Sequence, residues 1–320
     1  MTPAPLLALV GPTASGKTET SLEIAERLGC DVVCIDSMLV YRGMDVGTAK
    51  PTPEQRRRVV HHMLDLVEPR HSFSVAEFQA RARTSVVEIE SRGRLPLLVG
   101  GSGLYYRAVV DDLEFPRTDP GIRRLLETEA SVIGAGQLYG RLASFDPAGA
   151  GRIEARNVRR TVRALEVAAA TGRSFSSYYR SWDRYPAGRV RVAGIHLPRE
   201  ALHRRIQARV ERMWRGLLAE TGVLLDRGFE PFLRSSNAIG YSEAVECLLG
   251  RMDEEDAAAA TVRRTIALAR HQMAWFRRDP RIRWFQAGEE GATGVADQVA
   301  RHLAAGAGQA SSIGLERLGA

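Results

Sequence analysis

Cysteine is scarce in this 320-residue chain: Cys30, Cys34 and Cys247 are all it has. None is spaced C-x-x-C, and an odd count argues against a disulfide framework. A reducing cytoplasm is the expected compartment. Long apolar runs are also missing, so no membrane span and no membrane partner are expected. The short apolar stretch near the start leads into a glycine loop without a cleavage site, which argues against a signal peptide. Internal repeats are absent. Acid is in deficit: 38 Asp and Glu face 45 Lys and Arg, a formal net charge of +7. That imbalance points to a polyanionic partner. What remains, 44% hydrophobic and 26% charged residues, is ordinary for a soluble globular protein of one large domain or two.

The informative stretch is L-L-A-L-V-G-P-T-A-S-G-K-T, from Leu6 to Thr18. An apolar run of strand length is followed by G-x-x-x-x-G-K-T, and a helical pattern follows over 19–28, ended by Gly29. Strand, loop and helix in that order make a phosphate-cradling loop. Gly11 and Gly16 let the backbone turn tightly around a ligand. The N–H groups of the loop and the positive end of the helix attract an anion. Lys17 adds a mobile charge, and the Thr18 hydroxyl is placed to hold magnesium. The loop implies a bound phosphate or diphosphate and leaves its owner open. A second buried strand, 31–35, ends at Asp36-Ser37, where ligands sit in open α/β sheets. Asp36 either faces that ligand or caps a turn. A third strand, 95–99, runs into Gly100-Gly101-Ser102-Gly103 and does not end in the acid that commonly holds magnesium in phosphate-loop enzymes.

Other segments read as scaffold or as polar loops. The polar, glycine-marked 41–50 is a functional loop candidate. Arg56 to Arg58 reads as a solvated helix face, and His61-His62 as hydrogen-bonded structure. Val75, Phe78, Ala82, Val86 and Ile89 share one face of a helix over 74–92. From 115 to about 186 strand patterns vanish, with loops expected at Gly134, Gly136 and 147–151. There Arg156, Arg159, Arg160 and Arg163 share a helical face that calls for an anion or for acids elsewhere. A strand returns over 190–197. A pair of basic helices is expected over 201–227, and a long helix over 256–278. The pair Trp275-Phe276 reads as core. The Gly- and Ala-rich 304–320 reads as a loose tail.

Together these motifs resemble one family, the tRNA dimethylallyltransferases. The carriers are GPTASGKT (Gly11 to Thr18), DSMLVYRGMDVGTAKP (Asp36 to Pro51), HHMLDLVEP (His61 to Pro69), GGSGLY (Gly100 to Tyr105), NVRRTVRALEV (Asn157 to Val167), AIGY (Ala238 to Tyr241) and HQMAWFRR (His271 to Arg278). The resemblance implies an α/β fold: a P-loop NTPase-like parallel sheet flanked by helices, with an inserted all-helical domain. It implies a catalytic core over 1–115 and 190–320, and a tRNA-binding insertion over 116–189. The donor would be dimethylallyl diphosphate, the acceptor the anticodon stem-loop of tRNA, and the ion Mg2+, held by Thr18.

The same resemblance implies residue roles. Asp36, Thr13, Lys17 and Arg209 would be catalytic. Gly11, Pro12, Thr13, Ala14, Ser15, Gly16, Lys17 and Thr18 would hold the diphosphate. Contacts to tRNA would come from Asp36, Ser37, Met38, Leu39, Ser102, Arg123, Arg159, Arg160, Thr161, Val162 and Arg163. Further along the chain, Asn237, Gly240, Tyr241, Arg270, Gln272 and Arg277 would join them. Ser102 stands where threonine is usual in the family. A cytoplasmic monomer is expected. The competing readings are a small-molecule P-loop kinase, indifferent to tRNA, and a non-catalytic RNA-binding module, which leaves Lys17, Thr18 and Asp36 without a purpose.

Overall fold

A computed structural model describes residues 5–111, 113–182, 184–235, 238–288 and 293–305. The chain forms two compact units, Met1–Val110 with Ala187–Ala320, and Asp111–Pro186. The first unit begins with β1 (Leu6–Val10), five apolar residues that are all buried. A strand apolar on both faces is stable when both are covered, as in parallel sheets. The phosphate loop leads to α1 (Lys17–Leu28), which ends at Gly29 with φ +67, its N–H donating to the Ala25 carbonyl. Next come β2 (Cys30–Cys34), α2 (Pro53–Arg58) and β3 (His61–His62). α3 (Val75–Ser91) is capped by the Ser74 hydroxyl, which accepts the Glu77 N–H. Phe78, Ala82, Val86 and Ile89 are its buried face. β4 (Leu95–Gly100) and α4 (Gly103–Val110) follow.

The second unit is helical throughout its described residues: α5 (Pro120–Phe145), α6 (Pro147–Ala150), α7 (Val158–Thr171) and α8 (Tyr179–Trp182), with one 3-10 turn at Phe175–Tyr178. The loop expected at Gly134 and Gly136 is a kink in α5, because only Gly134 leaves helical angles, at φ +83. The loop expected over 147–151 contains α6, with Pro147 at its first position and Asp146 accepting the Gly149 N–H. The core is Leu126, Leu138, Leu142, Ile153, Val162 and Leu165. Beside it Glu166 is completely buried. Its carboxylate accepts the Asp119 N–H at 2.8 Å, Arg123 at 2.8 Å and Arg163 at 3.0 Å.

The chain then re-enters the first unit as β5 (Val190–His196) and α9 (Arg199–Asp226). The pair of helices expected over 201–227 is one helix of 28 residues. Gly216 and Gly222 lie inside it, and the chain turns only at Gly228, φ +76. α10 (Glu230–Ser235), α11 (Tyr241–Leu248), α12 (Glu254–Phe276), β6 (Ile282–Gln286) and α13 (Ala296–Ala304) complete the fold. The expected tail beyond 305 lies outside the described residues. All six strands are parallel, in the order β3-β2-β4-β1-β5-β6. From β1 the crossovers run to both sides, so its carboxyl end opens the crevice where such sheets bind ligands.

Glu166, inside α7, holds the start of α5 through Asp119 and Arg123 and accepts Arg163 from its own helix. Glu166→Ala should lower the unfolding free energy by about 2–3 kcal/mol, because charge-assisted hydrogen bonds are lost while both arginines can still reach water. Urea titration of the full chain measures this; an unchanged midpoint would show that the cluster adds no stability.

Candidate active site

The loop after β1 is shaped by close packing. Gly11 has φ +152, and a Cβ there would stand 2.4 Å from the Ile195 carbonyl oxygen on β5, so a side chain cannot be accommodated. Ala14 is held at φ +61, a left-handed conformation that costs a non-glycine residue energy and that functional loops commonly store. The Ser15 hydroxyl is buried without a hydrogen-bond partner among the described residues. A buried, unsatisfied donor at the floor of an anion loop is a place for a ligand oxygen. Lys17 donates from Nζ to the Pro12 carbonyl at 2.6 Å. Thr18 is half-buried on the lip of the same cleft, which encloses about 480 Å³.

One face of α9 forms the opposite wall. Arg205, Ala208, Arg209 and Arg212 follow the three-and-four spacing of a helix face. Arg205 donates from Nε to the Ala14 carbonyl at 3.0 Å, and Arg209 from Nη1 to the Thr13 hydroxyl at 3.4 Å. Asp36 lines the cleft two residues beyond β2. One of its oxygens accepts the Met38 N–H at 2.8 Å. The capping reading therefore holds for Oδ1, and the carboxylate still belongs to the cleft.

Charges in this cleft perturb one another. Burial, reinforced by Arg209 and opposed by Asp36 and Glu19, pushes Lys17 down to about 7. Burial likewise lowers Arg209, opposed by Asp36. Burial raises Asp36, while the Met38 N–H, Lys17 and Arg209 hold it down. A polyanion arriving here would restore Lys17 to its charged form. Clustered, desolvated titratable groups of this kind mark reactive sites.

The 41–50 loop is anchored by residues that the sequence gave no reason to single out. Glu220 on α9 accepts the N–H groups of Asp45 at 2.7 Å, Val46 at 2.9 Å and Gly47 at 3.3 Å. It also accepts the Tyr241 hydroxyl. The Lys50 side chain is almost completely buried, donating to Asp45 at 2.7 Å and Asp65 at 2.6 Å and to the Tyr41 carbonyl. Glu220 is one of three Glu in a basic helix, and no local pattern sets it apart for such a role.

Ser37, Met38 and Leu39 are half-buried after Asp36, and Leu39 lines the cleft. Ser102 is half-buried next to Gly101. Arg159, Arg160, Arg270 and Arg277 are exposed. Gln272 accepts the Thr13 N–H at 2.8 Å. Several residues expected at RNA are buried or engaged within the protein. Thr161 and Val162 are buried, at 1% and 2% exposure, so neither offers a side chain to a macromolecule. Arg123 and Arg163 are engaged by Glu166, and Arg163 also donates to the Pro116 carbonyl. Tyr241 is fully buried, and the Gly240 N–H donates to Glu243, so both build the start of α11. Asn237 lies outside the described residues. Of the expected aromatic core pair, Phe276 is buried against Tyr106, whereas Trp275 is 37% exposed and packs on Gly103. His61 is structural as expected, its Nδ1 bonded to the Val59 carbonyl at 2.8 Å.

The chain is similar to known proteins. A family model described as IPP transferase matches residues 39–279. The tRNA dimethylallyltransferase of Kineococcus radiotolerans is 48% identical over 290 residues, covering 88% of this chain and 91% of the relative. That of Streptomyces coelicolor is 47% identical over 289 residues, covering 89% and 92%. The solved tRNA isopentenylpyrophosphate transferase of Bacillus halodurans is 38% identical and covers 93% of this chain and 96% of its own, with a TM-score of 0.64. A eukaryotic dimethylallyltransferase acting on tRNA shares the fold, with a TM-score of 0.77 at 22% identity, covering 93% and 78%.

Arg209 is one of two α9 guanidiniums that reach the phosphate loop, the other being Arg205. Arg209→Ala should weaken binding of inorganic diphosphate by roughly 10- to 100-fold, the worth of one to two charge-assisted hydrogen bonds. Titration calorimetry reads this directly, and wild-type affinity in the variant would remove Arg209 from the anion site.

Proposed function

The chain belongs to the IPP transferase family, and from that premise we propose that it transfers the dimethylallyl group of dimethylallyl diphosphate to N6 of adenosine 37, immediately 3′ of the anticodon in tRNA. One observation carries this reading beyond the family. The phosphate loop, Lys17, Arg209 and Asp36 converge on a single cleft, while β4 ends at Gly100 without an acid.

In this reading the diphosphate lies in the loop after β1. Lys17, Arg209 and the loop amides stabilise the charge that develops as the allylic C1–O bond breaks, and a dry site strengthens each contact. Adenine N6 attacks C1, and diphosphate departs with the bonding pair. The amine is a poor nucleophile because its lone pair is delocalised into the ring. Asp36 orients it and takes the proton that N6 must lose. Fixing donor and acceptor in line supplies much of the remaining acceleration. The anticodon loop suits such an acceptor, since an unpaired base costs only a few kcal/mol to splay out. The residues also fit magnesium, which prefers a few protein oxygens alongside substrate phosphates. The Thr18 hydroxyl, half-buried at the lip, would supply one, and the ion would screen charge on the leaving group.

The exposed Arg159 and Arg160 on α7, and Arg270 and Arg277 on α12, are the side chains we assign to tRNA phosphates. No helix among the described residues is long and apolar enough to cross a membrane. Cys30 and Cys34 are buried free thiols, which supports a cytoplasmic setting.

Incubation with radiolabelled dimethylallyl diphosphate and tRNA should place label in the RNA; label moving instead from ATP to a small molecule would establish a kinase. Asp36→Asn should lower turnover by about 10²- to 10⁴-fold with tRNA affinity retained. Asp36 works deprotonated and its pKa is raised by burial. The wild-type rate should therefore fall as pH drops through a value above the ordinary carboxylate range, and this limb should vanish in the variant. A pH–rate profile that keeps its acid limb in Asp36→Asn would assign the base elsewhere. Arg160→Gln should weaken tRNA binding and reduce its salt slope by about one; an unaltered slope would make that arginine a solvated surface residue.

A further inference from the structure

Gln272 lies on α12, 259 positions from Thr13, yet its Oε1 accepts the Thr13 N–H at 2.8 Å. Its other side-chain atom, Nε2, is packed on Gly101, where an added Cβ would approach to 2.4 Å. The amide is thus wedged between the loop after β1 and the loop after β4. Thr13 is held twice, its N–H by Gln272 and its hydroxyl by Arg209 at 3.4 Å. The backbone amide of Thr13 is directed at a side chain and the hydroxyl at the guanidinium assigned to the diphosphate. Oε1 is spent on the Thr13 N–H, and Nε2 is packed against Gly101, so the hydrogen bond that the side chain makes is to the phosphate loop. Its geometry serves the donor side of the cleft.

We propose that Gln272 is a positioning residue for the diphosphate, setting Thr13 so that the loop and Arg209 converge on one anion. It does so from α12, whose exposed Arg270 and Arg277 are assigned to RNA, so one helix carries both the brace of the donor loop and the acceptor's phosphate contacts. This rests on the assignment of the cleft to a diphosphate. Gly101 is small for the same reason: a methyl group there would push the amide off Thr13.

The test uses Gln272→Ala, Gly101→Ala and the double variant of the full-length chain. Each is titrated with inorganic diphosphate and with tRNA, and assayed for KM of dimethylallyl diphosphate. Gln272→Ala should weaken diphosphate binding and raise that KM about tenfold, as for one buried hydrogen bond, with tRNA affinity unchanged. Gly101→Ala should do the same from the opposite side, because it displaces the amide without removing it. The double variant should be no worse than either single one, since coupled residues share one loss. Weakened tRNA binding with normal diphosphate binding would make Gln272 an RNA contact and overturn the proposal. Unchanged diphosphate binding in both single variants, or additive losses in the double one, would also overturn it. Should Gln272→Ala not fold, Gly101→Ala alone decides. Wild-type protein that binds no diphosphate would instead remove the assignment of the cleft itself.

Discussion

Lys17 and Arg209 are brought into one cleft, where Arg209 makes Lys17 harder to keep charged and Arg212 does the same to Arg209. Arg205 and Arg212 add to the positive side, while among the described residues Asp36 and the exposed Glu19 are the acids that line the cleft. Without a ligand this surplus is a standing electrostatic cost, since desolvated like charges are poorly screened. A diphosphate removes it. The fold must therefore hold the cations in place while the cleft is empty. Lys17 is fixed by the first turn of α1, and Arg209 by the middle of a 28-residue helix anchored along its length by Ile206, Val210, Trp214 and Leu217. A pair of shorter helices over the same residues would have placed a joint where the guanidinium has to be steady.

The surrounding loops are held by the opposite device, a carboxylate surrounded by donors. Glu220 gathers three successive amides of the 41–50 loop and the Tyr241 hydroxyl. Glu243 gathers the Gly240 N–H and the Arg264 guanidinium. Glu166 performs the same task in the helical unit. These acids use their hydrogen-bonding capacity on structure. Asp36 differs, with one oxygen given to a local turn and its charge coupled to Lys17 and Arg209. In the proposed reaction, the base is the carboxylate that the scaffold does not consume.

This division explains what could be read from the sequence. The strands over 6–10, 31–35, 95–99 and 190–197, the phosphate loop and Asp36 were legible because each is a local pattern of apolar residues, glycine or a residue at a strand end. β3 has two residues and β6 alternates only weakly behind Pro280, so both edge strands escaped. Arg159, Arg160, Arg123 and Arg163 look alike in a sequence, yet the first two are exposed and the others are tied to Glu166. The burial of Thr161, Val162 and Tyr241 and the anchoring by Glu220 were not legible for the same reason. Their roles are set by partners tens to hundreds of residues away, and only the packed chain shows which face of a helix is spent inward.

The end of β4 carries the last step. Gly100 could not be replaced by an acid, since a Cβ there would stand 2.3 Å from the Ile35 carbonyl oxygen. At Gly101 the space is taken by Gln272. The sheet thus excludes, by packing, the second strand-end acid that phosphate-loop enzymes use to hold magnesium during phosphoryl transfer. With that position closed, Asp36 is not one of a pair of metal ligands at neighbouring strand ends. It stands alone beside a surplus of cations, which suits a reaction whose leaving group needs positive charge and whose nucleophile needs a single base. In phosphoryl transfer the bond to phosphorus is broken, and cations must follow the moving group. When the bond broken is carbon–oxygen, the diphosphate stays where the loop holds it and the carbon moves to the acceptor. A rigid anion cradle with its base set to one side is consistent with the second kind of step.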